Sequence, residues 1–306
     1  MTPKEQQAIA RMEALAREIR RHNELYYNQQ APELSDAAYD RLVEELEALE
    51  TAHPDLARAD SPTRTVGAAP AERFPPVEHG VPMQSIANTY TDEEIRKFVG
   101  RVQAGLADAG EAPEFVVELK IDGLAVSVLY ERGTLTRAAT RGNGRVGEEV
   151  TENVKQVEGL PRRLAATPGA SAPGPAQIPP QLEVRGEVYM SRKAFEALRT
   201  AQEEAGADRV FANPRNAAAG TLKLLDPAVV AARHLSAWIY TVVGGHDLGF
   251  ETHAQVLDGL EGLGFPVNPY RRVCRDADEI LALRDAWDGL RQELADDTDG
   301  LVIKVN

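Results

Sequence analysis

Glu118-Leu119-Lys120-Ile121-Asp122-Gly123 sets a lysine at the exit of an apolar strand, two residues before an acid and three before a glycine. Phe115-Val116-Val117 leads in and Leu124-Ala125-Val126-Ser127-Val128-Leu129-Tyr130 leads out, so Lys120 and Asp122 fall between two strands. Strand alternation points Glu118, Lys120 and Asp122 to one side. A lysine held there, partly desolvated, can lose its proton and act as a nucleophile. The same letters also suit a surface lysine in a hairpin, and the rest of the chain has to decide between the two.

The 306 residues, 43% of them hydrophobic, can bury a sizeable core and suggest one large domain plus a smaller one. The single cysteine, Cys274, excludes an internal disulfide and a Cys-rich zinc site and fits a reducing cytoplasm. The six histidines have no metal-ligand spacing, and no run reaches membrane-spanning length, so a soluble, cytoplasmic protein with no membrane partner is expected. A net charge of −14 argues against a whole-surface affinity for nucleic acid, so any DNA contact is local or made elsewhere. Asp299-Gly300-Leu301-Val302-Ile303-Lys304-Val305-Asn306 ends inside an apolar strand pattern, and the chain reads as a fragment of a longer protein.

Apolar positions Ile9, Met12, Leu15, Ala16, Ile19 and Tyr26 follow helical spacing, as do Tyr39, Leu42, Val43, Leu46 and Leu49 after Asp36. These predict a helical hairpin whose joint carries Pro32, with Ser35 or Asp36 as cap. Asp36 and Asp40 share a face beside Tyr39, and Tyr26-Tyr27 closes the first helix. That set reads either as a cap with a solvated acid or as an aromatic and acidic pocket for a cationic ring. Residues 51–82, rich in Pro and Ala, read as a linker or irregular wrap, and a helix is predicted over Thr91 to Leu106.

Glu131-Arg132-Gly133 reads as a hairpin turn into Thr134–Thr140. Gly142, Gly144 and Gly147 then match the dinucleotide pattern G-x-G-x-x-G, although Glu158-Gly159-Leu160-Pro161 is not the parallel strand that a βαβ unit requires. Arg141 suits a phosphate or ribose contact, or a solvated turn. Residues 165–181 form a low-complexity loop. A strand resumes at Leu182, with Glu183, Arg185 and Glu187 on one side, and Gly186 reads as a place where a ligand approaches the backbone. Helices are predicted from Ser191 to Ala205, Ala254 to Leu263 and Ala277 to Leu290, and a strand from Ser236 to Val243.

Lys120-Ile121-Asp122-Gly123, Thr140-Arg141-Gly142, Glu183-Val184-Arg185-Gly186-Glu187, Asn213-Pro214-Arg215-Asn216 with its Ala-Ala-Ala-Gly continuation, and Asp299 to Lys304, in that order, resemble the motifs of the NAD-dependent bacterial DNA ligases. The resemblance covers the whole chain. Tyr26-Tyr27 and Ser35 to Asp40 are similar to the family's nicotinamide-binding helical domain. The fold implied is α+β: a helical domain over residues 1–70, then a nucleotidyltransferase (adenylation) domain over 71–306 of mainly antiparallel sheets with outer helices, truncated at its C-terminal end.

The resemblance further implies that Lys120 attacks the α-phosphate of NAD, becomes adenylated and releases nicotinamide mononucleotide. It places Glu118 at the adenine, Arg141 and Glu187 at the ribose and phosphate, and Arg215 and Lys304 facing the nucleotide. Ile121, Ser85 and Ile86 join these contacts, and Tyr26, Tyr27, Asp36, Tyr39 and Asp40 hold the nicotinamide part. Asp122 is assigned to the catalytic step, orienting Lys120 or a metal ion; Mg²⁺ is the implied metal. Asn143 stands where the family often has Asp, Lys223 where it often has Arg, and Tyr27 where some members carry His; Arg291 sits at the spacing of a family arginine. The implied partner is nicked duplex DNA, gripped mainly by domains outside this chain, with the protein a monomer. A Rossmann-type dehydrogenase using Gly142, Gly144 and Gly147, and a non-catalytic NAD-binding module, are the competing readings.

Overall fold

The computed structural model describes residues 3–25, 33–34, 36–58, 60–63, 74–107, 110, 112–164, 178–207, 210–291 and 293–306. Tyr26, Tyr27 and most of the loop predicted over 165–181 lie outside the described residues, as do the side chains of Asp36 and Asp40. The chain forms two compact units, one comprising residues 1–86 and 140–149, the other 87–139 and 150–306.

In the first unit, helices α1 (Pro3–Asn23) and α2 (Asp36–Ala52) pair as the apolar periodicity predicts. Met12, Leu15, Ile19 and Leu46 are buried between them, with Tyr39, Leu42, Val43 and Leu49 against this small core. The described residues of 51–82 are less irregular than expected. They contain a 3₁₀ turn, Pro54–Leu56, and strand β1 (Pro76–Glu78), which pairs antiparallel with β5 (Val146–Glu148).

The second unit has two sheets. One runs β8 (Arg271–Cys274), β2 (Phe115–Ile121), β9 (Thr298–Val305); the other runs β4 (Thr134–Thr140), β3 (Leu124–Glu131), β6 (Gln181–Met190), β7 (Leu235–Val242). Strand pairs β2–β8, β2–β9, β3–β6 and β6–β7 are all antiparallel. Helices α3 (Asp92–Leu106), α4 (Thr151–Val154), α5 (Arg192–Glu204), α6 (Pro214–Leu222), α7 (Pro227–Ala231), α8 (His253–Gly262) and α9 (Ala277–Leu290) complete the described helices. The α+β class is therefore as the sequence implies.

Strand β2 is apolar on both faces because each face has a core to fill. Phe115 and Val117 pack with Ile95 and Val99 of α3 and Ile280 and Leu281 of α9, while Val116 joins the larger cluster around Val126, Val128, Val184 and Val188. Helix α3 starts where the acidic triplet predicts, with Thr91 Oγ1 accepting from the Glu94 N–H and Glu94 Oε2 accepting from the Thr91 N–H.

The G-x-G-x-x-G run is a tight turn closed on itself. A Cβ on Gly142, at φ +55°, would lie 2.0 Å from the Val146 carbonyl oxygen, and one on Gly147 would lie 1.8 Å from that of Thr140. Asn143 Oδ1 accepts from the Arg145 and Val146 N–H groups. The glycines make room for the turn's own backbone, and the short strand β5 follows instead of a helix opening on a phosphate. The dehydrogenase reading fails here.

Gly186 also departs from expectation. A Cβ there would meet the Trp238 carbonyl oxygen at 2.6 Å and Ile239 Cδ1 at 2.5 Å, at a register shift between Arg185 and Gly186. The glycine admits the neighbouring strand, not a ligand. Gly186→Ala is expected to lower unfolding free energy by about 1–3 kcal/mol through overpacking against backbone; urea unfolding measures it, and an unchanged midpoint would show that β7 shifts without cost.

Candidate active site

The antiparallel register of β2 against β9 shifts at the lysine. Leu119 lies opposite Leu301 and Ile121 opposite Thr298, so Asp299 and Gly300 face the single residue Lys120. Gly300 takes φ +131°, which few L side chains adopt. The bulge turns Asp299 toward the lysine, and Lys120 Nζ donates to Asp299 Oδ2 at 2.5 Å. Sequence reasoning quoted Asp299 as part of a motif without assigning it a partner.

One step back along β2, Glu118 is only 5% exposed. A buried carboxylate needs a cation, and the last strand supplies it: Lys304 Nζ lies 2.5 Å from Glu118 Oε2. His253, the first residue of α8, brings Nε2 to 3.1 Å from Glu118 Oε2 and 3.0 Å from Lys304 Nζ. The ammonium also donates to the Tyr240 carbonyl at 3.2 Å and lies 5.1 Å from the centre of that ring. Burial opposes ionisation of Glu118, but the His253 hydrogen bond and the Lys304 charge outweigh it and hold the carboxyl below its usual range. Burial pushes the Lys304 ammonium down, and Glu118 only partly offsets this. His253 and Tyr240 were missed because a histidine opening a helix and a tyrosine in a strand carry no local signal.

Asp122 has a different partner from the one expected. Its Oδ1 accepts from Arg215 Nη1 at 2.7 Å, while the carboxylate on Lys120 belongs to Asp299, so Asp122 does not orient the lysine by direct contact. Arg215 reaches it from the first turn of α6, which Asn213 caps by accepting from the Asn216 N–H at 2.8 Å, with Pro214 at the first helical position. Buried Ala217, Ala218 and Gly220 let that helix pack closely.

Gly123 is required by close approach, since a Cβ would lie 2.4 Å from the Val188 carbonyl oxygen and 2.9 Å from Glu187 Cγ. Glu187 thus flanks the lysine turn, and Ile121 closes β2. Glu183 accepts instead from Ser127 Oγ at 2.7 Å and lies 3.4 Å from Arg185. Arg291 donates to the Thr298 carbonyl at 2.7 Å, a backbone strap just before Asp299, and Lys223 caps the C-terminal end of α6.

In the first unit, Arg141 Nη1 lies 3.5 Å from Ser85 Oγ, and the Thr140 and Arg141 carbonyl oxygens are 3.1 and 3.2 Å from His79 Nε2. Ile86 is 54% exposed. The Tyr39 hydroxyl donates to Asn23 Oδ1 at 2.7 Å.

Residues 71–306 match the family model described as NAD-dependent DNA ligase adenylation domain. The chain belongs to this family. Residues 5–67 match a second model, the DNA ligase-like N-terminal NAD+-binding domain. A DNA ligase of Syntrophobacter fumaroxidans is 47% identical over 304 residues, covering 99% of this chain and 44% of that protein. A DNA ligase of Brevibacillus brevis is 45% identical over 299 residues, covering 98% of this chain and 42% of its own length. The chain thus spans less than half the length of these relatives. Among the described residues, no helix is long and apolar enough to cross a membrane, and no three His, Cys, Asp or Glu side chains cluster to hold a metal.

Glu118→Gln removes the counter-charge of Lys304 and is expected to cost about 1–3 kcal/mol at pH 7. Because folding lowers the Glu118 pKa from 4.5, the wild-type carboxylate's contribution is complete above that value and is lost as pH falls below it. Urea unfolding of both proteins at pH 7 and in acid should show the gap closing; a constant gap would argue against an ionised, stabilising Glu118.

Proposed function

We propose that this chain carries out the first step of NAD-dependent DNA ligation. The Lys120 amine, after losing a proton, attacks the α-phosphorus of NAD; a P–N bond forms, the P–O bond to nicotinamide mononucleotide breaks, and an adenylate remains on Lys120. The observation that carries this reading is Lys120 held by Asp299 at a bulge, between the Glu118–Lys304 pair on one side and the Asp122–Arg215 pair on the other. In this reading Asp299 fixes the nucleophile, and Glu118 and Lys304 meet the adenine as an acceptor and a donor. Arg215 offsets charge developing on phosphorus, and Glu187 and Arg141 contact the ribose and phosphate. Ser85, Ile86, Lys223 and Arg291 are weaker candidates for nucleotide contacts. Mg²⁺ belongs to this proposal as an ion carried on substrate phosphates, the way it usually binds, and no step above depends on it.

We assign the nicotinamide half to the helical hairpin, with Tyr26, Tyr27, Asp36, Tyr39 and Asp40 as its contacts and the domain boundary near residue 70. A planar cation suits aromatic faces and carboxylates. The partner is nicked duplex DNA. With a net charge of −14, this chain is poorly suited to hold it alone, and we place the main grip in the remainder of a full-length ligase, a cytoplasmic monomer.

Incubation with NAD and Mg²⁺ should add one adenylate to the intact mass. Lys120→Arg should eliminate the adduct, because a guanidinium stays protonated and does not attack phosphorus. An adduct persisting in that variant would remove Lys120 as nucleophile, and reversible NAD binding without any adduct would favour a binding module. Asp36→Ala combined with Tyr39→Ala is expected to abolish reaction with NAD while leaving an adenylate already on Lys120 intact; adenylation at the full wild-type rate would refute the nicotinamide assignment.

A further inference from the structure

Residues 293–298 lead into Asp299 and are held from outside their own strand. Arg192, at the start of α5, donates Nε to Asp297 Oδ1 at 2.6 Å, Nη1 to the Leu294 carbonyl at 3.0 Å and Nη2 to the Arg291 carbonyl at 3.4 Å. Its backbone N–H reaches the Ala295 carbonyl at 3.1 Å. From β7, Trp238 Nε1 donates to Asp296 Oδ2 at 3.2 Å while the indole stacks on Tyr189 with ring centres 6.1 Å apart. The Asp297 carbonyl accepts the Asp122 N–H at 3.0 Å, so this strap touches the turn two residues past the lysine.

We propose that Arg192 is a positioning residue for adenylation: by pinning residues 293–298 it fixes where Asp299 meets Lys120, an inference that rests on Lys120 being the nucleophile. The side chains of Arg192 and Asp297 are 37% and 35% exposed, and ion pairs that accessible add little stability. What a guanidinium offers instead is a planar fork that fixes several acceptors at once. Here it spans the Leu294 and Arg291 carbonyls and one carboxylate of the strap, that of Asp297. The Asp299 side chain is 44% exposed, so packing around it holds it weakly, and its position follows from the bulge in β9 and from the strap that precedes it. Displacements of an ångström at a reacting group are enough to cost large factors in rate.

The test measures the rate of adenylate formation on the intact chain over a range of NAD concentrations. The proteins are wild type, Arg192→Met, Arg192→Lys, Asp297→Asn and the double variant Arg192→Met with Asp297→Asn, each with its melting temperature. Arg192→Met should lower the maximal rate about 10-fold and leave KM for NAD within about twofold, because the group positions the nucleophile and does not bind NAD. Arg192→Lys, which keeps the charge but loses the fork, should recover little of the rate, and the double variant should be no slower than Arg192→Met alone. Wild-type rate in Arg192→Met, a loss expressed in KM, or additive losses in the double variant would each overturn the proposal. If Arg192→Met does not fold, Asp297→Asn carries the same expectation: a lower maximal rate with KM unmoved supports the clamp, and any other pattern overturns it. Lys120→Ala is run beside them: an adduct there overturns the assignment of the nucleophile, whereas a lysine-dependent adduct with Arg192 indifferent overturns only the clamp.

Discussion

A carboxylate buried in a strand that has a core on each face must find a cation, and Glu118 finds Lys304. This requirement ties the last strand to the strand that carries the lysine. Val116 and Lys304 are register partners, so the ammonium projects on the same side as Glu118 and reaches it diagonally. His253 and Tyr240 come from other elements to complete the cluster, so the Glu118–Lys304 pair joins the three-stranded sheet to β7 and α8. Buried ion pairs are seldom an efficient source of stability, and the cost of desolvating this one is consistent with a chemical task.

The geometry around Lys120 depends equally on places where side chains are missing. Gly123 lets the turn after the lysine lie against Val188, and Gly186 lets β6 and β7 close at their register shift. Gly300 permits the bulge that turns Asp299 inward. At Gly123 and Gly186 a side chain would have to displace backbone, which a packed sheet resists far more than it resists a change of rotamer, whereas at Gly300 there is space and the constraint is the positive φ. Glycines 142 and 147 obey the same logic in the other unit. There the close neighbour is the turn itself, which is why a letter pattern shared with dinucleotide-binding loops carries different physics.

Much of the architecture was legible in the sequence because its signals are local. Apolar periodicity located α1, α2, α9 and the two strands that flank Lys120, and the acidic triplet Asp92 to Glu94 announced the start of α3. Lys120 by itself was not legible, since Lys-x-Asp-Gly also suits a surface lysine in a hairpin; the ordered motifs through Asp299 to Lys304 are what singled it out. The short strands β1 and β8 were not legible. With three and four residues they have too few positions to display a period, and their pairing partners alone define them.

The amino-acid sequence by itself determined the class of fold and the family, and it singled out Lys120 as the candidate nucleophile. Those rest on motif order and on patterns within a few residues. Only the tertiary structure decided who meets whom: Asp299 on Lys120 across 179 positions, Arg215 on Asp122 across 93, and His253 on Glu118 across 135. Such pairs are chosen by strand register, by a bulge and by the helix ends that face the sheet. A charged side chain carries no mark of its partner until burial limits which opposite charge can reach it.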